Sequence, residues 1–405
     1  MLKRIFDLYR EAFGGLSKPA WMLSLVMLIN RSGTMVVPFL SVYLTDSLGF
    51  SVNQAGIILS CFGIGSMIGA VVGGSMTDKY GHFMVQTISL IGGGILFILL
   101  SSVSEFYLLL TGILLLSIVS ESLRPANASS VAGYAKPENV ARAFSLNRMA
   151  INLGFSVGPA LGGILAALSY RWLFIADGTT CIMAGLFFFF YFRNMKGNPE
   201  RDKHRGKKIG YGVVFKNRRF MAFIALVSIF AILFFQLFMT LPLYYRQVYD
   251  LPESKIGILL ALNGIVVFSL EMVMVYILNR KYRIHELLFP GMLLMGLSFV
   301  MLNLFHGHLI LFLSMIILSF AEILLMPFMA TFTVQQSDEH NRGAYMGLYT
   351  IAFSAGFVLS PFLGAQVISH WGFEVLWWAT GIISVVLGIG VLYVTNPVKN
   401  LSISS

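Results

Sequence analysis

Apolar residues in this 405-residue chain run in about twelve stretches of roughly 20 to 28 residues, and no other feature narrows the fold as far. They cover 20–44, 54–77, 83–103, 106–133, 143–168, 171–192, 220–245, 255–279, 285–305, 308–334, 342–369 and 372–395. Each is long enough to cross about 30 Å of hydrocarbon as a helix, which satisfies its own backbone groups where no water can. Composition excludes a soluble chain: hydrophobic residues make up 57% and charged residues 11%, against about 25% charged in soluble domains. The expected fold is an all-α membrane protein with twelve transmembrane helices.

The stretches repeat. Glu121 matches Glu322, and the offset, 322 − 121 = 201, also pairs Tyr43 with Tyr244, Gly56 with Gly257, Gly63 with Gly264 and Phe144 with Tyr345. It drifts to 202 by Pro159 and Pro361. A period of half the chain predicts two pseudo-symmetric six-helix bundles, 1–193 and 220–405, joined by a basic linker over 194–219. Ile5, Leu8, Ala12 and Leu16 at helical spacing make Met1–Lys18 a short amphipathic helix at the membrane surface. Duplicated membrane halves suggest a transporter with its site between them.

Lysine and arginine set the orientation. With both termini inside, 22 of the 28 lie on the cytoplasmic side, ten of them between Arg193 and Arg219. Arg171, Arg246 and Lys255 lie outside, and Arg31, Arg124 and Arg148 fall within the stretches. The net charge of +10 is accounted for by these loops facing anionic lipid, without nucleic acid, in a plasma (inner) membrane. Two cysteines, Cys61 and Cys181, supply neither a disulfide framework nor a metal cluster. No metal or cofactor is expected.

A central charge costs roughly 2.5 to 3.5 kcal/mol in a membrane helix, so Arg31, Glu121, Arg124, Glu271 and Glu322 are expected to line water or one another. Arg31 and Glu121 sit at one depth and are expected to pair, with Arg124 one turn from Glu121 completing a triad. Glu322 shares that depth, but Ile232 and Leu325 stand where the repeat would place the two cations. A carboxylate in a low-dielectric cleft without a fixed cation can load and release protons near neutral pH. Glu322 is therefore the first candidate for proton coupling, Glu121 the second, and Glu271 is equally readable as a structural ion pair. Asp177 and Arg148 lie near the ends of their stretches, where a local pair accounts for them. No histidine falls in the interior of a stretch, His285 and His308 being the first residues of theirs, so proton coupling would run through carboxylates.

Two motifs carry a family resemblance. The turn after the second stretch reads Gly74-Ser-Met-Thr-Asp78-Lys79-Tyr-Gly81-His82, and the fifth stretch holds Gly154-Phe-Ser-Val-Gly158-Pro159-Ala-Leu-Gly162-Gly163. The first resembles the loop 2–3 motif of the major facilitator superfamily, and the second is similar to the fifth-helix motif of its antiporter branches. The resemblance implies that Asp78 joins a charge network holding the outward-facing state, although a helix-end cap reads the residue equally well. Gly81 suits the tight turn, and the glycines around Pro159, like Gly356 and Gly364 around Pro361, suit close packing with a bend. The usual basic pair after Gly81 is replaced by His82 and Phe83.

Arg124-Pro125-Ala-Asn127, Ala150-Ile-Asn152-Leu-Gly154 and Glu322 with Pro327 also resemble stretches of proton-coupled oligopeptide transporters. That resemblance implies a basic residue and a glutamate serving peptide termini and proton coupling. The chain departs from it at Ile29-Asn30-Arg31, which lacks the two glutamates of that family's signature.

Phe39, Tyr43, Phe238, Tyr244 and Phe328 are candidate pocket walls, since aromatic residues adapt to apolar or cationic ligands. Ordinary helix packing explains each of them as well. Gln236, Asn263 and Asn152 are candidate polar contacts for a substrate. Zinc-binding H-E-x-x-H and a phosphate loop do not occur, and Gly154-Phe-Ser-Val-Gly158, which has the G-x-S-x-G spacing, lies within an apolar stretch and not at the strand-to-helix turn of a nucleophile, which argues against an enzyme or an ATP-driven pump. The expected function is alternating-access export of amphipathic or drug-like molecules by proton antiport, powered by the proton gradient and carried out by a monomer. Proton symport of peptides or other zwitterions is the alternative, with Arg124 holding a carboxylate.

Overall fold

Ser17 starts the first crossing. Its hydroxyl accepts from the Ala20 N–H at 3.3 Å, and Pro19 follows in the first turn, where its missing N–H has no helical partner to lose. The computed structural model describes residues 15–136, 139–195, 212–337 and 341–396, and among these the chain is helical without strands. Most of the expected amphipathic helix over 1–18 and most of the linker over 194–219 lie outside the described residues, and Lys18 already belongs to the first crossing.

The first crossing is split into α1 (Lys18–Ser32) and α2 (Val36–Val42), and ends in a π-helical turn at Tyr43–Ser47. There follow α3 (Val52–Tyr80), α4 (His82–Leu100), a fourth crossing divided at Ser122 into α5 (Phe106–Glu121) and α6 (Leu123–Tyr134), α7 (Val140–Leu168) and α8 (Tyr170–Phe192). A short α9 (Gly212–Lys216) leads to a seventh crossing in three pieces, α10 (Arg218–Phe234), α11 (Gln236–Met239) and α12 (Leu241–Gln247). The rest is α13 (Glu253–Lys281), α14 (Ile284–Leu304), α15 (His308–Gln335) and α16 (Arg342–Thr395).

Eleven helices among the described residues are long and apolar enough to cross a membrane. The last of them, Ala344–Thr395, has 52 residues and runs about 78 Å, more than twice one crossing. Gly372 breaks it at φ 81°, a left-handed conformation open to glycine, so α16 holds two crossings and the total is twelve. Gly81, at φ 84° between α3 and α4, makes the turn expected of it.

The chain forms two compact units. One holds Met1–Val36 with Ile64–Arg205, and the other holds Val37–Gly63 with Gly206–Ser405. In the first, α1 packs on α7 and α8, and α4 on α5 and α8, around Leu23, Val26, Met27, Leu90, Phe188 and Phe192. In the second, α10 packs on α16, α14 on α15 and α16, and α13 on α15. The start of α3 belongs here: a Cβ on Gly56 would lie 3.0 Å from the Pro361 carbonyl oxygen, and one on Gly63 2.8 Å from the Val358 Cα.

The repeat is visible in each unit's own packing. Gly154 of α7 lies against Arg31 and Ser32, and Gly356 of α16 lies against Ala231 and Ile232, the same pairing shifted by about 201 residues. Both crossings break close to this contact, at Gly33–Met35 and at Phe235.

Within the second unit, Arg246 Nε donates to Asp46 Oδ2 at 2.7 Å and Arg246 approaches Glu253 at 3.9 Å. Ser369 donates to Asn53 at 3.0 Å beside them. Both partners of the Arg246–Asp46 pair are partly exposed, so the pair is worth about 0.2–1 kcal/mol and weakens with salt. Arg246→Asp is expected to lower the melting temperature in detergent, and adding Asp46→Arg to restore it. A double variant no better than the single one would show that the pair contributes nothing.

Candidate functional site

The split first crossing organises the charged interior of the first unit. Breaking a helix leaves amide groups without helical acceptors, and buried ones must find others. Asp177 of α8 supplies one: its Oδ2 accepts from Met35 N–H at 3.2 Å and from Val36 N–H at 3.3 Å. On the other side of the break, Asn30 donates to the Cys181 sulfur at 3.2 Å, and Cys181, one turn after Asp177, contacts Asp177 Oδ1 at 3.8 Å. Gly33 faces the Thr180 side chain so closely that a Cβ would collide with it. The break is thus stapled to α8 from both sides.

Asp177 is only 3% exposed. Sequence reasoning placed it near a helix end, whereas it lies eight residues into α8 against the break. The available signal was a carboxylate within an apolar run, Ile175-Ala-Asp177-Gly178, discounted because its distance from the end of the run looked short.

Arg31, the last charged residue before the break, has a buried Nε without a hydrogen-bond partner, and its guanidinium lies 5.4 Å from the centre of the Phe155 ring. The expected Arg31–Glu121 ion pair is not formed. Glu121 is instead paired with Arg124, one turn along. The Glu121 side chain is 7% exposed and that of Arg124 60%, so Arg124 reaches outward from the fourth crossing while neutralising Glu121. Asn152 is half-buried on α7, two residues before Gly154.

In the second unit, Glu322 of α15 is half-buried, and its Oε2 accepts from the Asn263 side chain of α13 at 3.0 Å. The same amide donates to Ser319 at 3.1 Å, and Ser319 donates to the Met315 carbonyl at 2.8 Å. Asn263 therefore mounts Glu322 at a fixed place. Gln236 is also committed internally: it donates to the Ser360 carbonyl at 3.2 Å and accepts from Thr240 at 2.7 Å, tying the broken seventh crossing to α16. Glu271 lies two turns beyond Asn263 on α13, half-buried.

Of the aromatic candidates, Phe39, Tyr43, Tyr244 and Phe328 are buried and Phe238 is half-buried. Tyr244 donates to the Leu302 carbonyl at 3.1 Å and meets Trp377 edge-on. Asp78 is exposed in the last turn of α3, and a Cβ on Gly74 would come no closer than 4.0 Å to Pro125. Gly154 and Gly158 press on the break, a Cβ on Gly158 lying 2.7 Å from the Thr34 carbonyl oxygen. Pro159 and Gly162 are buried in α7, and Pro361 in α16. Among the described residues no group of three or more His, Cys, Asp or Glu side chains could hold a metal ion.

Residues 21–302 and 253–404 match the family model of the Major Facilitator Superfamily. A Na(+), Li(+), K(+)/H(+) antiporter of Planococcus maritimus is 24% identical over 82% of this chain and 85% of its own length. Multidrug resistance protein 1 of Bacillus subtilis (strain 168) is 24% identical over 80% of this chain and 82% of its own. The solved structure of a POT family transporter in complex with 5-aminolevulinic acid matches 96% of this chain and 98% of that one, with a TM-score of 0.80 at 15% identity. At that identity the likeness is one of fold.

Proposed function

Because the chain belongs to the Major Facilitator Superfamily, a family of membrane transporters rather than enzymes, we propose that it exports amphipathic or drug-like small molecules in exchange for protons by alternating access. The observation that carries this reading is the mounting of Glu322, a carboxylate in an apolar helix whose Oε2 accepts from the neutral Asn263 amide. Glu322 takes up and releases the proton. Glu121, held by Arg124, is the second coupling carboxylate, and Arg31, with its Nε unpartnered, receives an acidic group. Antiport and drug resistance in the names of the two relatives support the direction. The biased distribution of Lys and Arg supports both termini being cytoplasmic in a plasma (inner) membrane, with lipid as the surrounding partner.

Peptide symport is the second reading, favoured by Arg124-Pro125 in the fourth crossing. Pyranine trapped in proteoliposomes under an imposed pH gradient separates the two. Proton movement with a lipophilic-cation panel and none with di- and tripeptides is the expected result. Movement with peptides alone would replace antiport by symport, movement with Na⁺ or K⁺ alone would replace the organic substrate by a cation, and silence in every panel would overturn proton coupling.

A further inference from the structure

Asp177 plays no part in the coupling scheme above, yet it is a buried carboxylate with no cation in contact. The charges grouped around the break are Arg31 on α1, Glu121 on α5, Arg124 on α6 and Asp177 on α8. Glu121 and Arg124 neutralise one another by contact. That leaves Arg31 and Asp177, two opposite charges that do not touch: Asp177 is occupied by the Met35 and Val36 amides and the Cys181 thiol, all neutral donors. Of the other helices packed on α8, α4 carries as its only titratable side chain His82 at its far end, and α7 carries only Arg142 and Arg148 near its start, both exposed. Arg31 and Asp177 thus remain opposite charges near the break without contact between them, and no carboxylate is paired with the Arg31 guanidinium.

An interior of low dielectric tolerates charge only in balanced sets. An anionic group docking on Arg31 forms the contact Asp177 does not make, and the set then holds one negative charge too many. Of the two carboxylates, Glu121 is retained by a cation in contact, whereas Asp177 has none. Taking up a proton there restores balance, and the neutral carboxyl still accepts from the Met35 and Val36 amides through its carbonyl oxygen, so the staple survives. We propose that Asp177 is the proton-binding site linked to Arg31: it takes up one proton when the carboxylate of a substrate docks on Arg31 and releases it when the substrate leaves. This rests on the reading of Arg31 as the anion-receiving residue, and the proton bound at Asp177 travels with the carboxylate substrate, in the direction opposite to the protons exchanged at Glu322 and Glu121.

The test is binding of benzoate and of an N-acetylated dipeptide to the purified full-length protein between pH 5.5 and 8, with tetraphenylphosphonium as a cationic control. One linked proton makes carboxylate affinity fall about tenfold per pH unit. That slope is expected in the wild type, absent in Asp177→Asn with carboxylate binding retained, and present in Glu121→Gln, while Arg31→Gln removes carboxylate binding altogether. A slope that survives in Asp177→Asn, or that disappears in Glu121→Gln instead, overturns the assignment to Asp177 and leaves the role of Arg31 standing. Carboxylates that fail to bind at every pH overturn Arg31 as anion receptor and this proposal together, without touching Glu322. Should Asp177→Asn not fold, infrared difference spectra of the wild type with ¹³C-labelled aspartate decide: a label-shifted protonated carboxyl band on carboxylate binding is expected, and its absence rejects the site.

Discussion

Glu322→Gln abolishes gradient-driven transport while the protein still reaches the membrane. Glutamine has the size of glutamate and keeps an oxygen for the Asn263 amide, so the bridge from α13 to α15 is retained, but it cannot carry a proton. In proteoliposomes the substrate-dependent pH change falls to that of empty vesicles, and exchange of substrate across the membrane without a gradient persists. Asn263→Leu tests the same point from the other helix. It removes a hydrogen bond to a charged group, worth about 1.5–3 kcal/mol, or about ten- to hundredfold in the population of the mounted carboxylate. Partial loss of coupling in Asn263→Leu beside complete loss in Glu322→Gln identifies Glu322 as the carrier. Unchanged coupled transport in Glu322→Gln would remove this residue from the mechanism.

The second large effect is structural and separates two glycines that the motifs treat alike. A Cβ on Gly154 would sit 2.5 Å from Arg31 Cβ and 2.9 Å from Ser32 N, so relief requires α1 and α7 to move apart at the break. A Cβ on Gly74 would meet only Pro125, at 4.0 Å. Overpacking costs about 1–3 kcal/mol even where side chains can yield, and here backbone stands in the way. Gly154→Leu is expected to leave little monodisperse protein by fluorescence-detected size exclusion after mild heating, and Gly74→Leu to behave as wild type. Equal survival of the two would contradict the close approach of α1 and α7.

What the sequence made legible was whatever depends on local pattern. Hydropathy placed the crossings, including the pair within α16 whose boundary at Gly372 coincides with the expected start of the last stretch. The glycines of the fifth stretch announced a tight contact, and Gly81 a turn. What it hid depends on where one crossing bends towards another. The break at Gly33–Met35 has local signs, the Ser32-Gly33 pair and Pro38, whose ring displaces the Thr34 carbonyl from helical pairing, but they do not say what the freed amides meet, and without that partner Asp177 reads as a residue near a helix end. Arg31 and Glu121 lie at one depth, but depth fixes only one coordinate, and Arg124 reaches Glu121 from its own turn of helix. Gln236 and Asn263 looked like groups a substrate could use, because burial and internal hydrogen bonding of an amide cannot be read from its position along an apolar run.

The segment Val37–Gly63 packs with the unit built otherwise from Gly206 onward, so the boundary of the repeat in sequence is not the boundary of the packed body. Gene duplication copies chain, not surfaces. A fragment ending at Arg205 would carry Gly56 and Gly63 without the Pro361 and Val358 surfaces they fit, and its complement would carry those surfaces bare. The two halves of the sequence are therefore mutually dependent, since neither carries both sides of the contacts at Gly56 and Gly63.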